Sequence, residues 1–398
     1  MKEKMYIKQG TIEFYSVTAA LFSAGLSNFA ILYSVQPILP LFSKEFHLTP
    51  LQSSFSLSSS TIMMAIGMLF ISPISDMYGR KIVMTGSLFL ASIFTILCSI
   101  MNSWEGIIVI RILTGLSLSG VASIAMTYLS EEMHSSVLPF SIGLYISGNT
   151  IGGFIGRIMT SILSNIFSWN IALMFVGFFS LCGSILFLYL LPESKNFKYN
   201  LFVLNNLINN FMLQWKDSIL STLFIIGFIL MGSFITIFNY IGYRLLVKPF
   251  CLNQGLIGFL SVVYLVGVYT SPKAGILIKN YGRISILNIS LLIMFIGLLI
   301  TEINYLLCVI IGLTCFAGGF FAAHSIVSSW VGHQSKLLRS YASSLYLFFY
   351  YLGSSIFGSI GGYFWFFGGW LGVSIFVISL LVISFLLIMN LKLILYTK

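Results

Sequence analysis

Ser72-Pro73-Ile74-Ser75-Asp76-Met77-Tyr78-Gly79-Arg80-Lys81 is a short polar stretch where one apolar run, residues 50–75, gives way to another, residues 82–101. A near-copy, Gly275-Ile276-Leu277-Ile278-Lys279-Asn280-Tyr281-Gly282-Arg283, joins the runs 254–279 and 284–301. A separation of 203 residues relates Gly79 to Gly282, Arg80 to Arg283 and Gly115 to Gly318. Farther on, Trp169-Asn-Ile-Ala-Leu-Met-Phe175 resembles Trp370-Leu-Gly-Val-Ser-Ile-Phe376 at a slightly shorter offset. The chain therefore reads as two related halves.

Working outward, eight further runs complete a set of twelve: 15–42, 50–75, 82–101, 105–130, 137–162, 169–191, 218–242, 254–279, 284–301, 304–330, 339–365 and 369–392. Each approaches the roughly 20 apolar residues that cross about 30 Å of hydrocarbon. Lipid offers no partner to a free backbone N–H or C=O, so each run is predicted to be a helix. Barrel strands are excluded, because the runs are continuous and do not alternate. Hydrophobic residues are 58% of the chain, charged residues 8% and mean hydropathy is +1.01. Soluble domains carry about 25% charged residues, so the expected class is an all-α integral membrane protein.

The net charge of +10 reports topology and not a nucleic-acid partner. With both termini inside, Lys2, Lys4, Lys8, Arg80, Lys81, Lys195, Lys198, Lys216, Lys279, Arg283, Lys336, Arg339, Lys392 and Lys398 are cytoplasmic. Lys44, Arg244 and Lys248 fall in outer loops, and Arg111, Arg157 and Lys273 within spans. This is the positive-inside pattern. The first run is too long for a signal-peptide core and lacks a small-residue cleavage site after it. Cys98, Cys182, Cys308 and Cys315 lie in spans and Cys251 alone in an outer loop, so no external disulfide pair is expected. No P-loop, metal-ligand spacing or nucleophile elbow occurs, so neither an enzyme, a metal nor a cofactor is expected.

Two bundles are expected, residues 1–192 and 218–398, joined by a cytoplasmic linker at 193–217. Within the linker Leu201, Leu204, Leu207, Ile208, Phe211, Met212 and Trp215 recur at helical spacing among Asn200, Asn205, Asn206, Asn209 and Asn210. That pattern fits a helix lying in the membrane interface, against the alternative of a floppy connection.

Over its full length the chain resembles the major facilitator superfamily. The family loop signature is G-x-x-x-D-[RK]-x-G-[RK]-[RK]; Asp76, Gly79, Arg80 and Lys81 match it, while Ser72 and Met77 depart. The resemblance implies two six-helix parallel repeats, a midplane site between them, and a latch on the cytoplasmic side at Asp76 and Arg80. Arg111-x-x-x-Gly115 is similar to the second family motif, with Thr114 where Gln is common. Gly148-Asn149-Thr-Ile-Gly152-Gly153 resembles the efflux-branch motif G-P-x-x-G-G with Asn149 replacing Pro. Gly148, Gly152 and Gly153 are expected to let helices approach closely. Bacterial inner-membrane drug and sugar efflux permeases, arabinose-efflux-like members included, are the nearest type.

All ten acids fall in loops or at span ends, which disfavours a multi-cation drug as substrate. His324 lies deep in span 10, either as a proton switch near its ordinary pKa of about 6.5 or as a neutral packing histidine. Arg111 either faces a cavity or snorkels outward, and Lys273 and Arg157 are read as snorkelling. The family places helices 1, 4, 7 and 10 around the cavity. Candidate substrate or coupling residues are Asn28, Tyr33, Gln36, Arg111, Asn149, Asn239, Tyr240, His324 and Tyr346, suited to a neutral or anionic hydroxylated solute. The expected activity is proton-coupled efflux of a sugar-like or drug-like compound by a monomer, with uptake or facilitation as one alternative. A non-transporting sensor or membrane assembly factor is another. The expected partners are the solute, protons and the lipid bilayer.

Overall fold

The computed structural model describes residues 6–197, 199, 204–335 and 338–397. Outside that description lie the side chains of Ser72 and of the expected inner cations Lys2, Lys4, Lys198, Lys336, Arg339 and Lys398. The side chains at linker positions Asn200, Leu201, Leu204, Asn205, Asn206 and Leu207 lie outside it as well. The described chain is almost wholly helical: α1 (Ile12–Tyr33), α2 (Leu39–Glu45), α3 (Pro50–Tyr78), α4 (Arg80–Ser99), α5 (Trp104–Glu132), α6 (Leu138–Ile166), α7 (Trp169–Leu190), α8 (Leu204–Lys216), α9 (Ser218–Leu246), α10 (Gln254–Ile257), α11 (Val266–Tyr281), α12 (Arg283–Thr301), α13 (Leu306–Gln334) and α14 (Arg339–Thr397).

Ten described segments are long and apolar enough to span a membrane. The last of them, Tyr341–Leu395, holds two spans. Gly369 there adopts φ 55° and ψ −142°, and the chain doubles back. Phe357 and Phe376 consequently meet at 5.8 Å, where a straight helix would hold them about 28 Å apart. α6, with 29 residues, brings the set to the expected twelve; Arg157 and its many small residues dilute its hydropathy.

Span 1 is broken rather than continuous. After Tyr33 the chain unwinds through Ser34 and Val35 into a 3₁₀ turn, Gln36–Ile38, before α2. Pro37 has no N–H to continue the helix, which is the local reason for the break. Span 8 likewise is interrupted: after the single turn α10 it runs as a 3₁₀ stretch, Gly258–Leu265, before α11. Helix starts at the membrane surface are capped by side chains: Thr11 accepts from Phe14 N, Ser103 from Gly106 N and Ser168 from Ile171 N.

The chain divides into two compact units, Met1–Ile38 with Ser59–Val203, and Leu39–Ser58 with Leu204–Lys398. In the first unit α1 packs on α6 through a ladder of glycines. A Cβ at Gly148, Gly152 or Gly156 would strike the backbone of Phe22, Leu26 or Ala30 respectively. Three glycines at spacing four present a flat face, which is what close packing in lipid requires. Gly115 likewise sits on the backbone of Ser60, joining α5 to α3.

In the second unit α9 packs against α14 in the same way, with Gly353 on the backbone of Phe228. Residues 39–58 belong to this unit because hydroxyl groups hold them there. Tyr243 Oη donates to Leu39 O (3.0 Å) and contacts the hydroxyls of Ser43 and Ser53, each at 2.6 Å. Ser355 Oγ donates to Ser58 O at 3.0 Å, and Ser359 and Ser58 pair through their hydroxyls at 2.7 Å. A tyrosine hydroxyl has one donor and two acceptor sites, so Tyr243 is fully used.

Arg244, expected in an outer loop, instead lies in the last turn of α9 and is buried. It donates to the carbonyls of Thr301 and Glu302 at the C-terminus of α12, and to Asn304 Oδ1 (3.2 Å). A cation there meets the negative end of the helix dipole. α8 is a helix. Phe211 packs on Tyr341 (5.6 Å) and Trp215 stacks on Phe349 (5.0 Å), while Ile208, Met212 and Leu213 stay exposed.

Candidate functional site

Four clusters gather the polar side chains of the spans and their ends. The first surrounds the break in α1. Arg111, 1% exposed, comes from α5 and donates through Nη2 to Leu32 O (3.0 Å) and through Nη1 to Ile31 O (3.4 Å). A helix leaves its last carbonyls without intrahelical partners, and in lipid each one costs several kcal/mol if left bare. Arg111 therefore closes the unwound end of α1 and faces no lipid. Ser60 Oγ in turn donates to Arg111 O at 2.6 Å.

Arg157, read from sequence as snorkelling, is 6% exposed and points inward. Its Nε donates to Gln36 Oε1 (2.6 Å), its Nη1 to Gly153 O (2.7 Å), and the guanidinium lies 4.2 Å from the centroid of the Tyr33 ring. The low hydration of a planar guanidinium suits this stacking. Sequence reasoning missed Arg157, although it follows the α6 glycines and is one of only three basic residues assigned to spans. Gly153 has a local role here: a Cβ would come 3.2 Å from Arg157 Nη1. Asn28 is fully buried in α1, and neither its Oδ1 nor its Nδ2 has a partner. Asn149 Oδ1, facing Gly25 of α1, is also without one.

The second cluster lies in the other unit. His324 Nδ1 is 2.8 Å from Tyr346 Oη. The imidazole stacks on Phe320 (centroids 6.0 Å, planes 8° apart) and tilts against Tyr350 at 4.7 Å. Gly227 of α9 leaves room for the Tyr346 ring, which a Cβ would strike. Phe234 stacks on Phe320 at 4.0 Å and continues the aromatic wall to Tyr264 at 5.1 Å. Asn239 and Tyr240 are engaged elsewhere: Asn239 Nδ2 donates to Gly358 O (3.3 Å), and Tyr240 Oη contacts the carbonyls of Gly358 (2.8 Å) and Ser359 (3.2 Å). Both fasten α9 to α14.

The third cluster surrounds the turn between α3 and α4 at Asp76–Lys81. Gly79 adopts φ 96°, a conformation that costs a residue with a Cβ, and its repeat Gly282 has φ 78°. Arg80, almost fully buried, pairs with Asp76 at 2.5 Å and grips Glu131 through both Nη2 (2.8 Å) and Nε (3.2 Å). It also donates to the Ser75 hydroxyl and lies over the Phe197 ring at 5.7 Å. Burial outweighs the attraction of Arg80 and holds Asp76 above the usual carboxylate range. Lys81 reaches Glu193 at 3.6 Å, a pair of small value because the glutamate is exposed.

The fourth cluster is the repeat of that loop, and its chemistry differs. Position for position, Lys279 replaces Asp76 and Gln334 replaces Glu131. Arg283 stacks over Trp330 at 5.4 Å. Gln334 donates to Asp217 Oδ2 (3.3 Å), whose Oδ1 caps the start of α9. The backbone turn is duplicated, but the ion-pair network belongs to the first unit. Lys273 bonds Tyr269 Oη at 2.6 Å and is exposed. Among the described residues no group of acids, histidines and cysteines is arranged to hold a metal.

The profile of the Major Facilitator Superfamily matches residues 21–245. The chain is 60% identical over 384 residues to an uncharacterized transporter of Buchnera aphidicola subsp. Baizongia pistaciae, covering 96% of this chain and 95% of that one. It is 52% identical over 381 residues to the inner membrane transport protein YnfM of Escherichia coli, covering 96% and 91%. The solved nucleoside transporter NupG superposes with a TM-score of 0.78 over 94% of this chain and 99% of that one, at 14% identity, which speaks for the fold alone. Twelve spans in two related sets, the Asp76–Arg80 turn and these likenesses agree: the chain is a multi-pass membrane transporter and belongs to the Major Facilitator Superfamily.

Proposed function

We propose that this transporter exports a small neutral or anionic solute, of sugar-like or drug-like size, in exchange for entering protons. In this reading it works as a monomer in a bacterial inner membrane, with both termini in the cytoplasm. The observation that carries the reading is His324, hydrogen-bonded to Tyr346 in a chain whose described carboxylates all lie at helix ends or in loops. An imidazole is the side chain whose ordinary pKa lies near neutrality. In the tautomer protonated at Nε2, protonation turns Nδ1 from acceptor to donor, and Tyr346 answers by reversing its hydroxyl. The proton thus changes how α13 and α14 are held. Arg111 and Arg157, buried within the spans of the first unit, add positive potential there, which favours anionic over cationic cargo.

Solute counterflow in proteoliposomes with an internal pH dye tests this, using pentoses, other small sugars, aromatic carboxylates and lipophilic cations. The expected result is exchange of a sugar or carboxylate with proton movement in the opposite direction. Exchange of lipophilic cations alone would overturn the substrate reading. A second reading, gradient-driven uptake or facilitation, is favoured by the lack of mid-span carboxylates; exchange without a proton signal would establish it and return His324 to packing.

A further inference from the structure

A groove of about 370 Å³ lies between the first turns of α12 and the last turns of α14. Ile284, Ser285, Asn288, Met389, Lys392 and Leu395 line it. α12 begins at Arg283 and α14 ends at Thr397, so the groove sits where two spans meet the same membrane surface. We propose that it holds the head group of a membrane phospholipid that bears its own hydrogen-bond donor, such as a phosphoethanolamine or phosphoglycerol head.

Three features carry this. Lys392 supplies a cation in the last turns of α14, and basic pockets between spans at a membrane surface recognise lipid head groups. Asn288 Oδ1 is buried without any partner, and a buried acceptor in that state is a site awaiting a donor. A free phosphate would meet only the Lys392 charge and leave Asn288 Oδ1 bare; an ammonium or glycerol hydroxyl satisfies Asn288 Oδ1. Beyond the groove Leu292 and Ile296 on α12, with Val382 and Leu386 on α14, form an exposed apolar track toward the bilayer centre. Acyl chains fit that track as no soluble ligand would.

The experiment is native mass spectrometry of the full-length protein reconstituted with phosphatidylethanolamine, phosphatidylglycerol or phosphatidylcholine, and separately with inorganic phosphate. Retention of the first two lipids over phosphatidylcholine is expected. Lys392→Ala should lower retention of both about fivefold, the worth of one lysine near a membrane surface. Asn288→Leu should remove the preference over phosphatidylcholine while retaining the phosphate contribution, so the two variants fail differently. Lys279→Ala, outside the groove, should match wild type. Equal retention of all three lipids, unchanged binding by Lys392→Ala, or displacement of lipid by millimolar inorganic phosphate would each overturn the proposal.

Discussion

Gly152→Ala tests the packing argument, because the structure states what the added methyl must displace. A Cβ on Gly152 would lie 2.6 Å from Leu26 Cα and 2.7 Å from its carbonyl carbon. Ordinary contact begins at 3.4 Å. The Leu26 carbonyl oxygen lies closer still, so α1 must retreat from α6 by at least about 0.8 Å, and a gap of that size forfeits a quarter to a half of the dispersion energy of the facing atoms. The obstacle is backbone, so no side chain can rotate away. Overpacking of this kind costs about 1–3 kcal/mol. For a unit of this size each kcal/mol lowers the melting temperature by roughly 2–4 °C, so a drop of about 4–8 °C is expected for the mid-range cost. Gly143→Ala in the same helix is the control, since a Cβ there meets nothing within 4 Å. It should hold or raise the melting temperature, because alanine favours a helix interior by about 0.5–1 kcal/mol over glycine. Thermal unfolding in mild detergent, followed by far-ultraviolet circular dichroism, reads both. If Gly152→Ala melts with Gly143→Ala, the glycine ladder does not set the α1–α6 distance.

Asp76→Asn removes the Arg80 pair and is expected to cripple turnover while leaving solute binding intact. Because burial raises the Asp76 pKa in the folded protein, its titration favours the fold below the ordinary carboxylate range and the benefit is lost as pH rises through the raised value. The neutral asparagine should therefore leave the melting temperature at neutral pH unchanged or higher, and a marked drop would count against the latch role. Tyr346→Phe keeps the ring on Gly227 and removes the partner of His324 Nδ1; transport should survive with a shifted pH profile, whereas His324→Gln should flatten it, and identical profiles in wild type and both variants would remove the switch. Arg111→Leu uncaps Leu32 O and should lower stability by about 2–4 kcal/mol, with Arg111→Lys losing less; melting of the two variants beside wild type checks the order.

The architecture was legible because insertion in lipid depends on local composition. Run length, continuity and the placement of Lys and Arg are properties of consecutive residues, and they determined the helical class, twelve spans and the duplicated Gly79 and Gly282 turns. The sequence expectation of close helix packing named Gly148, Gly152 and Gly153; in the structure Gly148, Gly152 and Gly156 lie on the α1 backbone, while Gly153 lies beside Arg157. What consecutive residues do not encode is the partner of each face. His324 meets Tyr346 across two helices, and Arg157 turns inward because Gln36 and Tyr33 await it on a broken α1. Arg111 closes a helix end inside a run that the sequence read as continuous, and Arg244, read as an outer-loop residue, closes the end of α12. Asn239 and Tyr240, chosen for their polarity, fasten one helix to another. The sequence by itself determined the membrane class, the repeat and the turn at Asp76–Arg80. The tertiary structure alone decided which buried polar groups are engaged and which, like Asn28 and Asn288 Oδ1, stand unpaired, because a hydrogen bond in a low-dielectric interior is settled by distance and not by residue type.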